Sequence, residues 1–161
     1  TGNIFMAPLY SDSTYAPDGS SNVGRLTYYY DSTNSENAYH WVTTRPGTQD
    51  YDVVAKLQLP DDFASWGTTP IEFKYRTSNA GTTNNKLDLT MTDTAGTAAS
   101  LSNNTGLAST SANGWVTATN MGITGGTWTA GNWLTLDIKL SANSSGATDA
   151  GSIVFNYNTT N

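Results

Sequence analysis

A single histidine, His40 in the run Ala38-Tyr39-His40-Trp41, is the one side chain with an ordinary pKa suited to proton transfer at neutral pH. A general base works beside a nucleophile and an orienting group. No such constellation is visible in the order of residues, so His40 reads as a partly buried structural residue. The acidic residues number 13, and glutamate occurs only at Glu36 and Glu72. Glycoside hydrolysis needs two facing carboxyl groups, but Glu72 falls on the wet face of a strand. Asp61 and Asp62 are adjacent, with Asp50 and Asp52 nearby in sequence, and carboxylates with loop carbonyls can hold calcium. The Asp-x-Asp-x-Asp-Gly pattern is missing, and the pair is read as the cap of a helical turn that Phe63 and Trp66 anchor in the core. Lys56, Lys74, Lys86 and Lys139 all fall on polar faces, which argues against an isopeptide bond of the kind that needs a buried lysine. The expectation is a chain with no catalytic residue, no metal and no cofactor, and therefore no enzyme.

Residues that could bind rather than react are more numerous. Five tryptophans are present, and most tryptophans in a β-sandwich fill the core. Trp128, in Gly125-Gly126-Thr127-Trp128-Thr129-Ala130-Gly131, is the best exposed candidate for stacking on a sugar. Asn103, Asn143 and Asn158 each open an Asn-x-Ser/Thr triplet and are candidates for glycosylation. In a chain this rich in Asn, Ser and Thr, such triplets also arise by chance.

The elements that must position these residues are strands. In residues 51–59, Tyr51, Val53, Ala55, Leu57 and Leu59 alternate with Asp52, Val54, Lys56 and Gln58. The same period of two runs through Ile71, Phe73 and Tyr75, through Leu87, Leu89 and Met91, and through Leu134, Leu136, Ile138 and Leu140. Such alternation puts one face on a core and the other in water. Residues 25–30, 38–44, 115–124 and 152–157 are rich in β-branched and aromatic residues and read as four further strands. Clusters of Gly, Asn, Ser and Pro separate them. Eight strands with one wet face each predict an all-β, two-sheet antiparallel sandwich of the jelly-roll kind.

Composition bounds the function. Charged residues are 12% of the 161, about half the usual share, so the surface is polar through hydroxyl and amide groups. Aromatics at 11% rule out a disordered chain. The net charge of −6, with only seven Lys and Arg scattered singly, excludes the basic stripe of a nucleic-acid binder and a polybasic membrane patch. There is no cysteine, and no apolar run approaches the roughly 20 residues that span a bilayer. Thr1 is read as a mature terminus after signal removal, with the protein at the cell surface or outside the cell.

The opening segment stands apart. Asn3-Ile4-Phe5-Met6-Ala7-Pro8-Leu9-Tyr10 is apolar on both faces, and a polar, turn-rich stretch follows to Gly24. Residues 1–24 are therefore expected as a strand and linker arm, and residues 25–161 as the sandwich domain. Two placements fit. The strand can be the first of its own sandwich, or Ile4, Phe5, Met6, Ala7 and Leu9 can complete the sheet of a neighbouring copy by β-augmentation. In the second case contacts run head-to-tail and propagate as a filament.

The stretch Tyr51-Asp52, Gln58-Leu59-Pro60, Asp62-Phe63 and Ser65-Trp66 resembles a motif of uncharacterised secreted jelly-roll fibre proteins of environmental bacteria. Residues 128–140, the closing Gly151-Ser152-Ile153-Val154-Phe155-Asn156-Tyr157 and the opening Gly2-Asn3-Ile4 are similar as well. The resemblance implies a subunit of an extracellular fibre and carries over no catalytic residue. The expected function is thus a structural subunit of an extracellular filament, a homopolymer joined by donor strands. A carbohydrate-binding or adhesive module, or a phage fibre or capsid domain, is the alternative, with glycans as the second class of partner.

Overall fold

Alternating apolar residues can be buried only if a second layer covers them, and a computed structural model describing residues 1–161 shows two sheets meeting in this way. The strands are β1 (Gly2–Met6), β2 (Ser13–Ala16), β3 (Arg25–Asp31), β4 (Glu36–Val42), β5 (Gln49–Gln58), β6 (Phe63–Thr77), β7 (Lys86–Thr92), β8 (Ser100–Leu101), β9 (Val116–Met121), β10 (Ile123–Thr124), β11 (Trp133–Ala142) and β12 (Thr148–Thr159). One large sheet runs β3-β4-β12-β6-β9, with β1 also on β12, the other runs β2-β5-β11-β7, and β8 and β10 pair as a separate two-strand ribbon. All pairings are antiparallel. From β4 onward the long strands change sheet at nearly every connection, the winding of a jelly roll. No helix of the structure is long and apolar enough to cross a membrane.

The register explains the core. Leu136 lies between Ala55 and Met91, Ile138 between Val53 and Leu89, and Leu140 between Tyr51 and Leu87. From the opposite sheet Trp41, Ile71, Phe73, Ile153 and Phe155 face them, all essentially without solvent contact. The four faces read from period-two alternation are the buried ones. Gly151 sits where the β12–β6 register slips between Ala150 and Ile153. A Cβ there would lie 2.8 Å from the Lys74 carbonyl oxygen, so only glycine fits this close approach.

Three expectations need correction. Residues 61–69 hold no helical turn: a tight turn, in which the Phe63 N–H donates to the Pro60 carbonyl, leads straight into β6. Residues 1–24 are no free arm, because β1 joins the six-strand sheet and β2 joins the four-strand sheet at β5. The main-chain groups of Ile4, Phe5 and Met6 are taken up by β12 of the same chain, with Gly2 opposite Tyr157 and Met6 opposite Ile153. The reason is an unpaired strand edge above an uncovered part of the core. β4 covers β12 only at residues 148–150, and β1 fills the rest of that edge while Met6 and Ile4 plug the core beneath. The first and last strands therefore finish side by side at one end of the sheet.

Candidate tyrosine groove

β3 pairs with β4 alone and forms the margin of its sheet. Its run Tyr28-Tyr29-Tyr30 breaks the alternation seen elsewhere, because aromatic rings point from both faces. Tyr28 lies opposite Tyr39 and Tyr30 opposite Asn37. Tyr39 points into the core, so Tyr28 and Tyr30 share the inward-facing side of a strand that overhangs the core. They are 64% and 59% exposed. The segment leaving β1 passes in front of them and sets Pro8 and Leu9 as the opposite wall. The result is a groove of about 430 Å³ lined by Pro8, Leu9, the three tyrosines, Asn37 and Ala38. A second hollow of about 370 Å³ continues it through Leu9 and Tyr28 to Tyr10, Asp12, Ser13 and Tyr15.

A ladder of rings holds the groove rigid. Tyr15 of β2 lies 6.5 Å from Tyr28 and stands perpendicular to Tyr39 at 5.9 Å, and Tyr39 meets Tyr10 edge-on at 5.0 Å. The Tyr10 N–H donates to the Tyr39 hydroxyl at 2.7 Å, and Ser13 Oγ lies 3.2 Å from the same oxygen. The Tyr10 hydroxyl donates to the Gly151 carbonyl. Burial, then the hydroxyl of Tyr28 and the neighbouring Tyr39, push the Tyr15 phenol well above its ordinary value. Burial does the same to Tyr10. These hydroxyls stay protonated across the physiological range and can donate hydrogen bonds.

Tyr29 faces the other way and belongs to a different cluster. Its ring stacks on His40, with centroids 4.9 Å apart and planes 22° from parallel. His40 Nδ1 meets Asp149 Oδ1. Arg76 donates to Asp149 Oδ2 from Nε at 2.9 Å and Nη2 at 2.8 Å, and to Asp31 Oδ2 from Nη1 at 2.8 Å. Trp115 Nε1 donates to the same Asp31 oxygen at 2.8 Å. The guanidinium lies between the Tyr29 and Trp115 rings, 5.3 and 4.9 Å from their centroids. His40 thus has an orienting carboxylate that sequence could not reveal. That carboxylate is shared with an arginine, and the cluster ties β3, β4, β6 and β12 together.

The other residues singled out from sequence are dispersed. Trp128 is half-buried, edge-on to Trp66 at 5.5 Å, with its indole N–H donated to the Gly125 carbonyl; it packs against the core instead of forming a free platform. Trp133 is the more exposed, at 47%. Asn103 and Asn158 are exposed, and their amide nitrogens donate to Asn120, and to Ser65 and Trp66. Asn143 is half-buried, its Oδ1 accepting from Ser145. Glu72 accepts from Asn156. Asp61 is exposed, and Asp62 accepts from the Tyr157 hydroxyl at 2.9 Å. Phe5 and Leu9 point to solvent, Ala7 is exposed, and Ile4 and Met6 are turned inward.

Sequence reasoning missed Tyr15, Tyr28 and Tyr30. The signal was three consecutive tyrosines in a strand, an arrangement that cannot hide all its rings on one side.

No protein-family model matches the chain, and no curated protein matches its sequence. Among solved structures it is similar to the carbohydrate-binding module TmCBM61 in complex with β-1,4-galactotriose, with TM-score 0.49 and 10% identity over 91% of this chain and 89% of that one. It is also similar to an Arthrobacter globiformis T6 isomalto-dextranase complexed with panose, with TM-score 0.49 and 16% identity over 95% of this chain. The chain spans 23% of that enzyme's length. At these identities the likeness is one of fold.

Proposed function

We propose that the chain is an extracellular carbohydrate-binding or adhesive module, and that it lays a glycan along the tyrosine groove without chemical turnover. The observation that carries this reading is the pair Tyr28 and Tyr30, two residues apart on one strand and more than half exposed over an open groove. Residues i and i+2 repeat at about 6.8 Å along a strand, which offers two successive aromatic platforms. Large exposed aromatics in a groove mark a contact surface, because a monomer seldom leaves such a patch unused. Sugar rings present apolar C–H faces that suit flat aromatics, and hydroxyls that suit the phenols, Asn37 and Asp12. The test is a glycan array probed with the wild type and with Tyr28→Ala and Tyr30→Ala. We expect binding to a restricted glycan set and at least a tenfold loss, about 1.4 kcal/mol, in each variant. Glycan binding that survives the double substitution at full strength would refute the groove.

The filament reading keeps one supporting observation. β1 holds its own chain through five residue pairs, and its far edge is open, so exchange of β1 between two copies would conserve every hydrogen bond. Negative-stain microscopy and light scattering at high concentration test it. Regular fibres lost on deletion of residues 1–6 support it, and monodisperse monomers at all concentrations remove it.

A further inference from the structure

The outer face of the four-strand sheet carries a concentration of carboxylates. Asp52 of β5 lies opposite Lys139 of β11, and Asp137 lies opposite Val54 one step along. Asp50 precedes them at the start of β5. Residues 17–24, which link β2 to β3, fold across this corner. There the Asp50 N–H donates to the Ser21 carbonyl at 2.9 Å and the Val23 N–H donates to Gln49 Oε1 at 3.0 Å. That fold brings Asp18 in. One carboxylate oxygen from each of Asp18, Asp50 and Asp52 lies within 4.8 Å of the other two.

Proximity of acids alone is common on a surface with no ion bound. What distinguishes this corner is burial without partners. Asp52 is 6% exposed, and its Oδ1 is sealed from solvent with no hydrogen bond. Oδ1 of Asp50, of Asp137 and of Asn22 is left in the same state. A buried carboxylate oxygen with nothing to accept is costly. Lys139 lies between Asp52 and Asp88 in the sheet, and its ammonium meets Asp18, so Asp50 and Asp52 are left without a cationic partner.

We propose that Asp18, Asp50 and Asp52, with Asn22 and Asp137 in support, form a binding site for one divalent cation, calcium by preference, which fastens the 17–24 loop to the sheet. The ligands are all oxygens, as hard cations require. Calcium takes six to eight oxygens at about 2.3–2.6 Å in adaptable geometry, so oxygens up to about 5 Å apart can face each other across it. Magnesium demands a tighter octahedron. Lys139 is the cation's rival for Asp18 and moves aside when it binds.

Isothermal titration of EDTA-treated, dialysed protein with calcium chloride alone and magnesium chloride alone tests the site. We expect one calcium per chain, with a dissociation constant of about 0.1–1 mM as in extracellular modules, a higher melting temperature in calcium, and weaker binding of magnesium. Asp52→Asn should weaken calcium binding more than about tenfold. Asp18→Asn, in an exposed loop where folding is not at stake, should do the same. Lys139→Met should bind calcium more tightly than the wild type. Neither heat nor thermal shift with calcium in both the wild type and Lys139→Met would overturn the proposal. So would binding by Asp18→Asn equal to the wild type's.

Discussion

Asp31 shows how a single carboxylate can report on a whole cluster. It accepts from Trp115 and Arg76, and from the amide and backbone of Asn34 and the backbone of Thr33. The Trp115 indole first, and then Asn34, hold its carboxyl down at about 2. The unfolded chain would titrate it near 3.9. A folded value below the unfolded one adds stability that is complete above about pH 4 and is lost as pH falls towards 2. Asp31→Asn should therefore melt below the wild type at neutral pH, with the gap closing below about pH 4. Circular-dichroism melts across that range check it, and a gap that stays constant with pH would contradict the assignment. His40, by contrast, is fixed by a partner 109 residues away. That partnership needed the β4–β12 register, which no local pattern supplies.

At the scale of the element, β1 divides into two kinds of residue. Met6 is 8% exposed and packs in the core, whereas Phe5 is 64% exposed. Met6→Ala should cost about 2 kcal/mol, the low end for a buried methionine, because the site is at an edge. Phe5→Ala should change stability by no more than about 0.5 kcal/mol. Urea unfolding of dilute protein measures both, and equal losses would mean that β1 is not seated as described. The long strands were legible because alternation continues over six or more residues: Leu134, Leu136, Ile138 and Leu140 are all buried. β2 was not legible, since Ser13-Thr14-Tyr15-Ala16 offers one large ring in four residues and owes its conformation to pairing with β5. The first half of β6 was masked by Gly67 and Pro70, which ordinarily break strands. The groove was legible only in part. The tyrosines were plain in the sequence, but their opposite wall, Leu9, is supplied by a crossing segment whose path follows from tertiary packing. Asp18 reached the acidic corner in the same way, across more than 30 residues from Asp50.

At the scale of the molecule, the sandwich is held by pairings between distant parts of the chain: β12, the last strand, touches β1, β4 and β6. Such a topology pays loop-closure entropy before its contacts form, and folding in the range of milliseconds to seconds follows from that. The outer faces carry the two clusters that the core does not need, the arginine cage on one sheet and the acidic corner on the other. The groove lies at neither, but at the margin where β2 and β3 approach each other. Ligand contact there would not require either sheet to move.

Because Gly2 lies across from Tyr157, the outer end of β1 and the outer end of β12 are neighbours. A circular permutant that splices the ends through a short flexible bridge and reopens the exposed stretch at residues 80–83 should fold to the same sandwich, with an unchanged far-ultraviolet spectrum and one cooperative melt. The splice would lie at the end of β1 away from Leu9, so the whole of that strand separates it from the groove. A permutant that folds and gives the same glycan-array profile as the wild type would show that the proposed recognition does not depend on where the polypeptide is cut.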